Sequence, residues 1–317
     1  MSGAPDSAAD PRDALAPIDC EGAPRDVGFA QGAGCSSVLR SDYGALPLWT
    51  RLAHRLGRVD AHTAHVARDL RRHFPHQSES IEGIARGAGV PASWLSATLA
   101  HQLAVHPPRW TGGVVAVPAR RPPEALAASY LAARVSPHLV VRRSRPDGNH
   151  RSIEVTLPWL TSALGGVNEV GLAVTCVPGG RAPGDCTAPA LLLVHDCLAR
   201  FGSVEGALDW LVGRPAGGRA ILFVGDASGE VAGVEILGDE RRVLRPSEGV
   251  LVEAGGGGRE AEISKRLRES PPNGIDALEG CLADGGVALR LVVLDPADRR
   301  LGVRDALGDR RVRWFPV

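Results

Sequence analysis

The sequence predicts an α+β protein in which antiparallel sheets are covered by helices. Three observations support this fold class. Between Asp42 and Ala104, apolar residues recur three and four positions apart, which is the period of an amphipathic helix. From Gly112 onward, β-branched runs separated by turn residues predict strands. A pair of helical segments then divides the strands into two groups, so the elements come in blocks, as in a layered domain.

The first 17 residues, rich in Ala, Asp and Pro and without apolar periodicity, predict a disordered leader. Residues 18–317 predict a single domain. Its front portion, 18–110, is mainly helical, and 111–317 carries most of the sheets.

The helical signals lie in three segments of the front portion. LPLWTRLAHRL predicts one helix, and HTAHVARDLRRHFPH predicts another that ends at Pro75. SESIEGIARGAGVPASWL predicts a short helix with Ser78 or Ser80 as its cap, a stop within Arg86 to Gly89, and a new helix from about Pro91.

The strand signals follow in chain order. GGVVAVPA predicts a strand, HLVVRRSRP and RSIEVTLPW predict a hairpin around Asp147-Gly148-Asn149, and GLAVTCV predicts a further strand. After the helices PALLLVHDCLARF and SVEGALDWLVG, two strands flank an Asp226 to Gly229 turn. VLVEA, helices near 260–269 and 275–283, and the strands ALRLVVLD and VRDALG complete the prediction.

Composition excludes several classes of protein. Of 317 residues, 44% are hydrophobic, and 36 basic side chains balance 36 acidic ones, so the basic excess of most nucleic-acid-binding proteins is missing. No apolar run reaches the roughly 18 residues of a membrane span, and the start lacks the pattern of a signal peptide. Six cysteines without a C-x-x-C pair predict a reducing, cytoplasmic compartment. We therefore expect no nucleic-acid and no membrane partner.

Four side chains in the second helical segment fall on roughly one helix face: His62, His65, Asp69 and His73. That spacing is compatible with a metal site. The alternative is a solvated face rich in Arg and His. We expect the solvated face, and no metal.

Several strings, in their order and spacing, resemble the penicillin acyltransferase family of self-processing N-terminal nucleophile hydrolases. They are EGAPRDVGFAQGAG, IEGIARGAGVPASWL, NEVGLAV, SVEGALDWL, FVGDASGEVAGVEI and RVLRPSEGVLVEA. The resemblance spans Ile18 to the C-terminus and implies a four-layer αββα sandwich of the N-terminal nucleophile hydrolase type. In such enzymes, cleavage before a catalytic Cys frees an α-amino group, which serves as the base because its pKa is about 7.7 to 8.0.

The sequence departs from the family where the resemblance implies catalytic groups. The family Cys position falls on Thr111 or Gly112, and no cysteine lies between Cys35 and Cys176. Where relatives carry an Asn followed by an Asp, this chain has Ser129 and Leu131. The polar residues implied near Cys176 and at Glu253 to Gly256 are also replaced, so thiol catalysis at the family position is impossible.

Four residues remain as candidate catalytic groups. Thr111 would be a nucleophile if the Trp110-Thr111 bond were cleaved, or it is simply a β-branched strand residue. Asn168 matches the family's motif and would present its amide to an oxyanion, or it is a turn residue, an alternative that the neighbouring Gly165-Gly166 favours. His106 would be a general base or a surface histidine. Glu253 would be a carboxylate at the pocket mouth or a solvated strand end.

Gly112, Ser129 and Cys176 are the expected pocket-lining residues. His195, Asp196 and Cys197 look like a catalytic trio, but consecutive helix residues point in different directions, so a structural role is expected.

The sequence thus supports two classes of function. In the first, the pocket acts on an acyl, amide or peptide-like small molecule in specialised metabolism, by acyl transfer, hydrolysis or cyclisation. In the second, the protein is a non-catalytic binding or partner subunit. No cofactor is expected, and homo-oligomer formation is left open. The residues around Trp110-Thr111 predict an intact, unprocessed chain.

Overall fold

A computed structural model describes part of the chain, namely residues 16–101, 113–117, 126–132, 139–180, 182–246, 251–254, 265, 269, 289–304 and 312–317. The helices of this part are α1 Pro24–Gly34, α2 Ser36–Gly44, α3 Leu48–Arg55, α4 Ala61–His73, α5 Pro75–Ala88, α6 Ala92–Ala100, α7 Leu193–Arg200 and α8 Val204–Gly213. A 3₁₀ turn over Ala190–Leu192 precedes α7.

The strands form two sheets. Those of sheet A are β1 Ile18–Gly22, β4 Val140–Pro146, β5 Ser152–Thr156, β6 Gly165–Asn168, β7 Leu172–Gly180, β8 Arg219–Asp226, β9 Val231–Leu237 and β10 Glu240–Leu244. Those of sheet B are β2 Gly113–Val117, β3 Leu126–Ala132, β11 Leu251–Ala254, β12 Leu289–Asp295, β13 Arg300–Arg304 and β14 Arg313–Pro316.

Sheet A has the spatial order β1-β4-β5-β6-β7-β8-β9-β10, and sheet B has the order β11-β2-β3-β12-β13-β14. The pairs of neighbouring strands are antiparallel, except that β1 pairs with β4 in parallel. Chain neighbours from β4 to β10 therefore lie side by side, and α7 and α8 lie in the connection between β7 and β8. Gly148 takes a φ of 70° in the turn between β4 and β5, a conformation that glycine adopts without a steric penalty.

The layers follow from the alternation of side chains along the strands. In sheet A, Thr175 pairs with Phe223, and Phe223 lies in a buried apolar cluster with Leu251 of sheet B. On the opposite face, a Cβ added to Gly166 would meet Leu198 of α7 at 2.9 Å. Sheet A is thus covered by sheet B on one face and by α1, α7 and α8 on the other.

The helical layer depends on an unusually close approach of α1 and α5. A Cβ added to Gly28 would lie 2.2 Å from the carbonyl oxygen of Ser80, and one added to Gly83 would lie 2.1 Å from that of Arg25. Gly32 and Gly87 repeat these contacts one turn further along each helix. Only glycine permits this distance between the two backbones.

The predicted fold class, α+β, is confirmed, with helices on one face of sheet A and sheet B on the other. The described residues contain three layers of the predicted αββα sandwich, one helical layer and the two sheets. The helices predicted near 260–269 and 275–283, which would form the fourth layer, lie outside them, as does the predicted leader up to residue 15.

Several predicted elements need correction. α5 begins at Pro75, not after Ser78 or Ser80, because proline is favoured in the first turn of a helix. α1 and β3 lie in segments to which no element was assigned. Gly165 and Gly166 belong to β6 and are not part of a turn. The stop of α5 at Gly89, with φ 69°, and the start of α6 after Pro91 are confirmed.

Candidate functional site

The predicted nucleophile position lies at the entry to β2. Thr111, Gly112 and His106 fall outside the described residues, but β2 begins directly after them at Gly113. β2 lies between β11 and β3 in sheet B and contacts β7, β8 and β9 of sheet A. β2 itself, Gly113–Val117, therefore packs against sheet A within the two-sheet sandwich.

Two other candidates share a register position with β2. Glu253 of β11 pairs with Val114, and Ser129 of β3 pairs with the same residue from the other side. Glu253, Val114 and Ser129 thus form one row across three adjacent strands. Glu253 and Ser129 are therefore both aligned with Val114 of β2, the strand that follows Thr111 in the sequence.

Cys176 lies elsewhere. It is one position along β7 from Thr175, which pairs with Phe223 on the face toward sheet B, so Cys176 faces the helices. Its side chain is buried, and burial raises the pKa of the thiol far above the ordinary value. Cys176 therefore lies on the opposite face of sheet A from sheet B, and its predicted pocket-lining role stays a prediction.

Both polar atoms of the Asn168 side chain form hydrogen bonds to backbone groups of the protein. Its Nδ2 donates to the carbonyl oxygens of Leu198 and Phe201, each at 2.8 Å, at the end of α7. Its Oδ1 accepts from the backbone N–H of Leu172 at 2.8 Å, across the turn between β6 and β7. The side chain is fully buried on the helix-facing side of sheet A. These contacts fit the turn interpretation of Asn168.

A buried polar network on the same face was not found from the sequence. Arg142 of β4 and Glu154 of β5 lie opposite each other and form an ion pair, with side chains 1% and 0% exposed. Nδ1 of His195, on α7, lies 2.9 Å from Oε1 of Glu154, and Ser152 donates to the same oxygen at 2.7 Å. Arg142 also donates to Oε1 of Gln31, at 2.5 Å, on α1.

The network determines the charge state of its carboxylate. Burial by itself raises the pKa of Glu154, but the charges of Arg142 and His195 and the hydrogen bonds from His195 and Ser152 outweigh it. The pKa is therefore held well below the ordinary value, and Glu154 remains ionised. Gln31 meanwhile donates to the carbonyl oxygens of residues 157, 158 and 160, so the network ties α1, α7 and the β5–β6 loop to sheet A.

His195, Asp196 and Cys197 do not converge, as predicted. His195 reaches Glu154, whereas Asp196 reaches Nε2 of His76 at 2.6 Å on α5. Cys197 is fully buried. His195 and Asp196 thus attach α7 to two different neighbours, β5 and α5.

The side chains on the histidine-bearing face of α4 have different partners and do not converge on one point. Asp69 accepts the backbone N–H and the hydroxyl of Thr187 at 2.8 and 2.7 Å. The His62 ring packs edge-on against His101, with the ring centroids 5.8 Å apart. Within the described residues, no group of three His, Cys, Asp or Glu side chains could hold a metal ion.

A cleft of about 450 Å³ lies outside the helical layer, beside α4 and the end of α8. Two of its charged side chains form hydrogen bonds to the backbone of neighbouring loops. Asp239 accepts the N–H of Asp185 at 3.1 Å, and Arg241 donates to the carbonyl oxygen of Ala216 at 2.8 Å. The last residues of α4 and α8, His73 and Gly213, also line this cleft. The cleft is thus lined by side chains of both signs, four arginines and three aspartates.

The described cysteines are poor nucleophiles. Cys20, Cys35, Cys176, Cys186 and Cys197 are free and buried. Burial raises the pKa of Cys20 to about 12 and that of Cys35 to about 11. Since the thiolate is the reactive form, none of these five side chains supplies a thiol nucleophile at neutral pH.

Comparison with solved structures finds partial likenesses. The chain is similar to penicillin V acylase from Agrobacterium tumefaciens, with 15% identity, coverage of 65% of this chain and 86% of that one, and a TM-score of 0.46. It is similar to the Caenorhabditis elegans ortholog of N-acylethanolamine-hydrolyzing acid amidase, with 12% identity, coverage of 58% and 93%, and a TM-score of 0.48. A mutant conjugated bile acid hydrolase from Clostridium perfringens is 10% identical, with coverage of 65% and 92% and a TM-score of 0.49.

No protein-family model matches the chain, and no curated protein matches it. None of the described helices is long and apolar enough to span a bilayer.

Proposed function

We propose that this protein has an N-terminal nucleophile type of fold whose site at the entry to β2 binds an acyl, amide or peptide-like small molecule without thiol chemistry. The proposal places the ligand between the sheets, beside the row of Glu253, Val114 and Ser129. The reaction would be acyl transfer, amide hydrolysis or cyclisation in specialised metabolism.

The observation that carries the proposal is the position of β2. It is an inner strand of sheet B, and it contacts three strands of sheet A. Thr111 and Gly112 immediately precede it in the sequence, and the nearest cysteines in the chain are Cys35 and Cys176, both buried. The support for a thiol-free site is that residue 111, two positions before β2, carries a hydroxyl and no thiol.

The second candidate is a Thr-type enzyme that cleaves itself before Thr111. Its support is also the position of Thr111, two residues before β2 begins at Gly113. After cleavage, the Thr111 hydroxyl would be the nucleophile and its own freed α-amine would be the base. It differs from the first candidate in requiring two polypeptide fragments. The non-catalytic subunit is the third, and it requires neither turnover nor a bound small molecule.

The test is a panel of para-nitroanilides and para-nitrophenyl esters with short, long and aromatic acyl groups, assayed for turnover and, by native mass spectrometry, for binding. We expect saturable turnover or binding of at least one compound, unchanged by iodoacetamide. The Cys281→Ser variant is the matched control, since Cys281 lies outside the described residues. Inhibition by iodoacetamide in that variant would contradict the thiol-free mechanism, and no binding of any compound would favour the non-catalytic subunit.

A further inference from the structure

Helix α3 turns its apolar side away from the protein. Leu48, Trp49, Leu52 and Leu56 are 65%, 78%, 45% and 62% exposed. Positions 48, 52 and 56 lie four apart and 49 lies beside them, so they share one side of the helix. Five of the ten large apolar side chains exposed in the described residues fall within 48–59. A surface helix normally buries this side.

The other side of α3 is anchored. The hydroxyl of Tyr43 donates to the carbonyl oxygen of Arg51 at 2.8 Å, and the hydroxyl of Ser93 donates to that of His54 at 2.6 Å. Tyr43 belongs to α2 and Ser93 to α6, and α3 packs against α6. The orientation of α3 is therefore held by two neighbouring helices, with the apolar side left open.

The charge next to this open side is mainly positive. Between Tyr43 and Val59 the sequence contains three arginines and no acidic residue. One aspartate flanks each end, Asp42 and Asp60, of which Asp60 is paired with His101. Arg55 and Arg58 are exposed, and neither is in an ion pair with another described residue. This local excess contrasts with a net charge of zero for the whole chain. An apolar strip with an exposed Trp and flanking arginines is typical of helices that lie in the interface of an anionic bilayer.

We propose that α3 binds the surface of an anionic lipid bilayer, with Leu48, Trp49, Leu52 and Leu56 inserted among the acyl chains and Arg55 and Arg58 at the phosphate groups. A second copy of the chain fits less well. A two-fold symmetric contact through α3 would place Arg55 and Arg58 against a second copy of the same strip, which has no acidic residue between Tyr43 and Val59. The expectation of no membrane partner came from the lack of a spanning segment, which a surface helix does not need.

The experiment is sedimentation of the full chain with vesicles of phosphatidylcholine alone or of phosphatidylcholine with an equal amount of phosphatidylglycerol. We expect at least about tenfold tighter binding to the anionic vesicles, weakened by added salt. The double variant Trp49→Ser/Leu52→Ser should lose binding by more than about tenfold. Arg55→Gln and Arg58→Gln should each weaken it by roughly fivefold, and only on anionic vesicles.

The matched control is Leu237→Ser, which removes a side chain of 43% exposure at the end of β9. It should bind as the wild type does. A second readout is the fluorescence of Trp49, obtained by subtracting the spectrum of Trp49→Phe from that of the wild type. With anionic vesicles this emission should shift to shorter wavelength, and brominated lipid should quench it. Equal binding of the double variant and the wild type would overturn the proposal. So would a wild-type dimer that the double variant converts to a monomer, because the apolar side would then be covered by a second copy.

Discussion

The amide of Asn168 makes three hydrogen bonds to backbone groups while fully buried. In Asn168→Asp, a carboxylate oxygen replaces Nδ2 and faces the carbonyl oxygens of Leu198 and Phe201. We expect the free energy of unfolding to fall by about 3 kcal/mol, because two donated bonds are replaced by repulsion in a buried place. Urea denaturation measures this change.

Asn149→Asp is the matched control, since Asn149 is exposed in the turn between β4 and β5. It should change stability by less than about 0.5 kcal/mol. A stable Asn168→Asp protein that loses turnover of an acyl or amide substrate would contradict the turn interpretation and support an oxyanion role.

Glu154 is the only carboxylate in contact with the buried guanidinium of Arg142 among the described residues. Glu154→Gln retains the shape of the side chain but leaves Arg142 without an anion. We expect a loss of about 3 kcal/mol or more in the free energy of unfolding. Glu82→Gln, which breaks an ion pair with Arg25 that is about half exposed, should cost less than about 1 kcal/mol.

The pH dependence of the same pair has a definite sign. Because the pKa of Glu154 is lowered in the folded protein, its contribution to stability is complete above the ordinary value of 4.5 and is lost as the pH falls below it. The difference in stability between the wild type and Glu154→Gln should therefore shrink as the pH falls below 4.5. A difference that stays constant down to low pH would mean that folding does not lower the pKa of Glu154.

At the scale of elements, the packing of α1 on α5 is the most sensitive contact. In Gly83→Ala, the added methyl group would lie 2.1 Å from the carbonyl oxygen of Arg25, so the two helices must separate. We expect a loss of about 3 kcal/mol in the free energy of unfolding and a lower Tm, measured by denaturant titration and calorimetry.

Gly44→Ala supplies the control for this prediction. Gly44 is also helical, at the end of α2, and an added Cβ meets nothing within 4 Å. This variant should be neutral or slightly more stable, since alanine is the better helix former. Equal stability of Gly83→Ala and the wild type would contradict the close approach of the two helices.

These contacts also explain which elements the sequence could predict. α3, α4, α6 and the β4–β5 hairpin have clear periods and turn residues, and they were predicted from local pattern alone. α1 and β6 were not, because glycine at Gly28, Gly32, Gly165 and Gly166 weakens the local preference for helix or strand. The need for these glycines arises from elements far away in the sequence. For Gly166, an added Cβ would lie 2.7 Å from the carbonyl oxygen of Ile153 and 2.9 Å from the side chain of Leu198.

At the scale of the whole molecule, the sequence indicated where the candidate site lies but not which polar groups hold the fold. The change of hydrophobic period after Gly112 predicted β2, and the structure aligns Glu253 and Ser129 with Val114 of this strand. The network of Arg142, Glu154 and His195 could not be predicted, because its members lie on separate elements that only the sheet register and α7 bring together. Thr111, Gly112 and His106 remain predictions.

The central proposal is that the site at the entry to β2 works without a thiol and that the chain is not cleaved before Thr111. Cleavage would require the Thr111 hydroxyl to attack the carbonyl of the bulky Trp110, and no thiol is present there. Intact-mass spectrometry of the purified chain, with a Thr111→Ala variant as reference, measures this directly. We expect one species at the 33.2 kDa of the full sequence for both proteins. Two fragments that meet at Trp110 and Thr111 in the wild type, and a single chain in the variant, would contradict the account and identify Thr111 as the nucleophile.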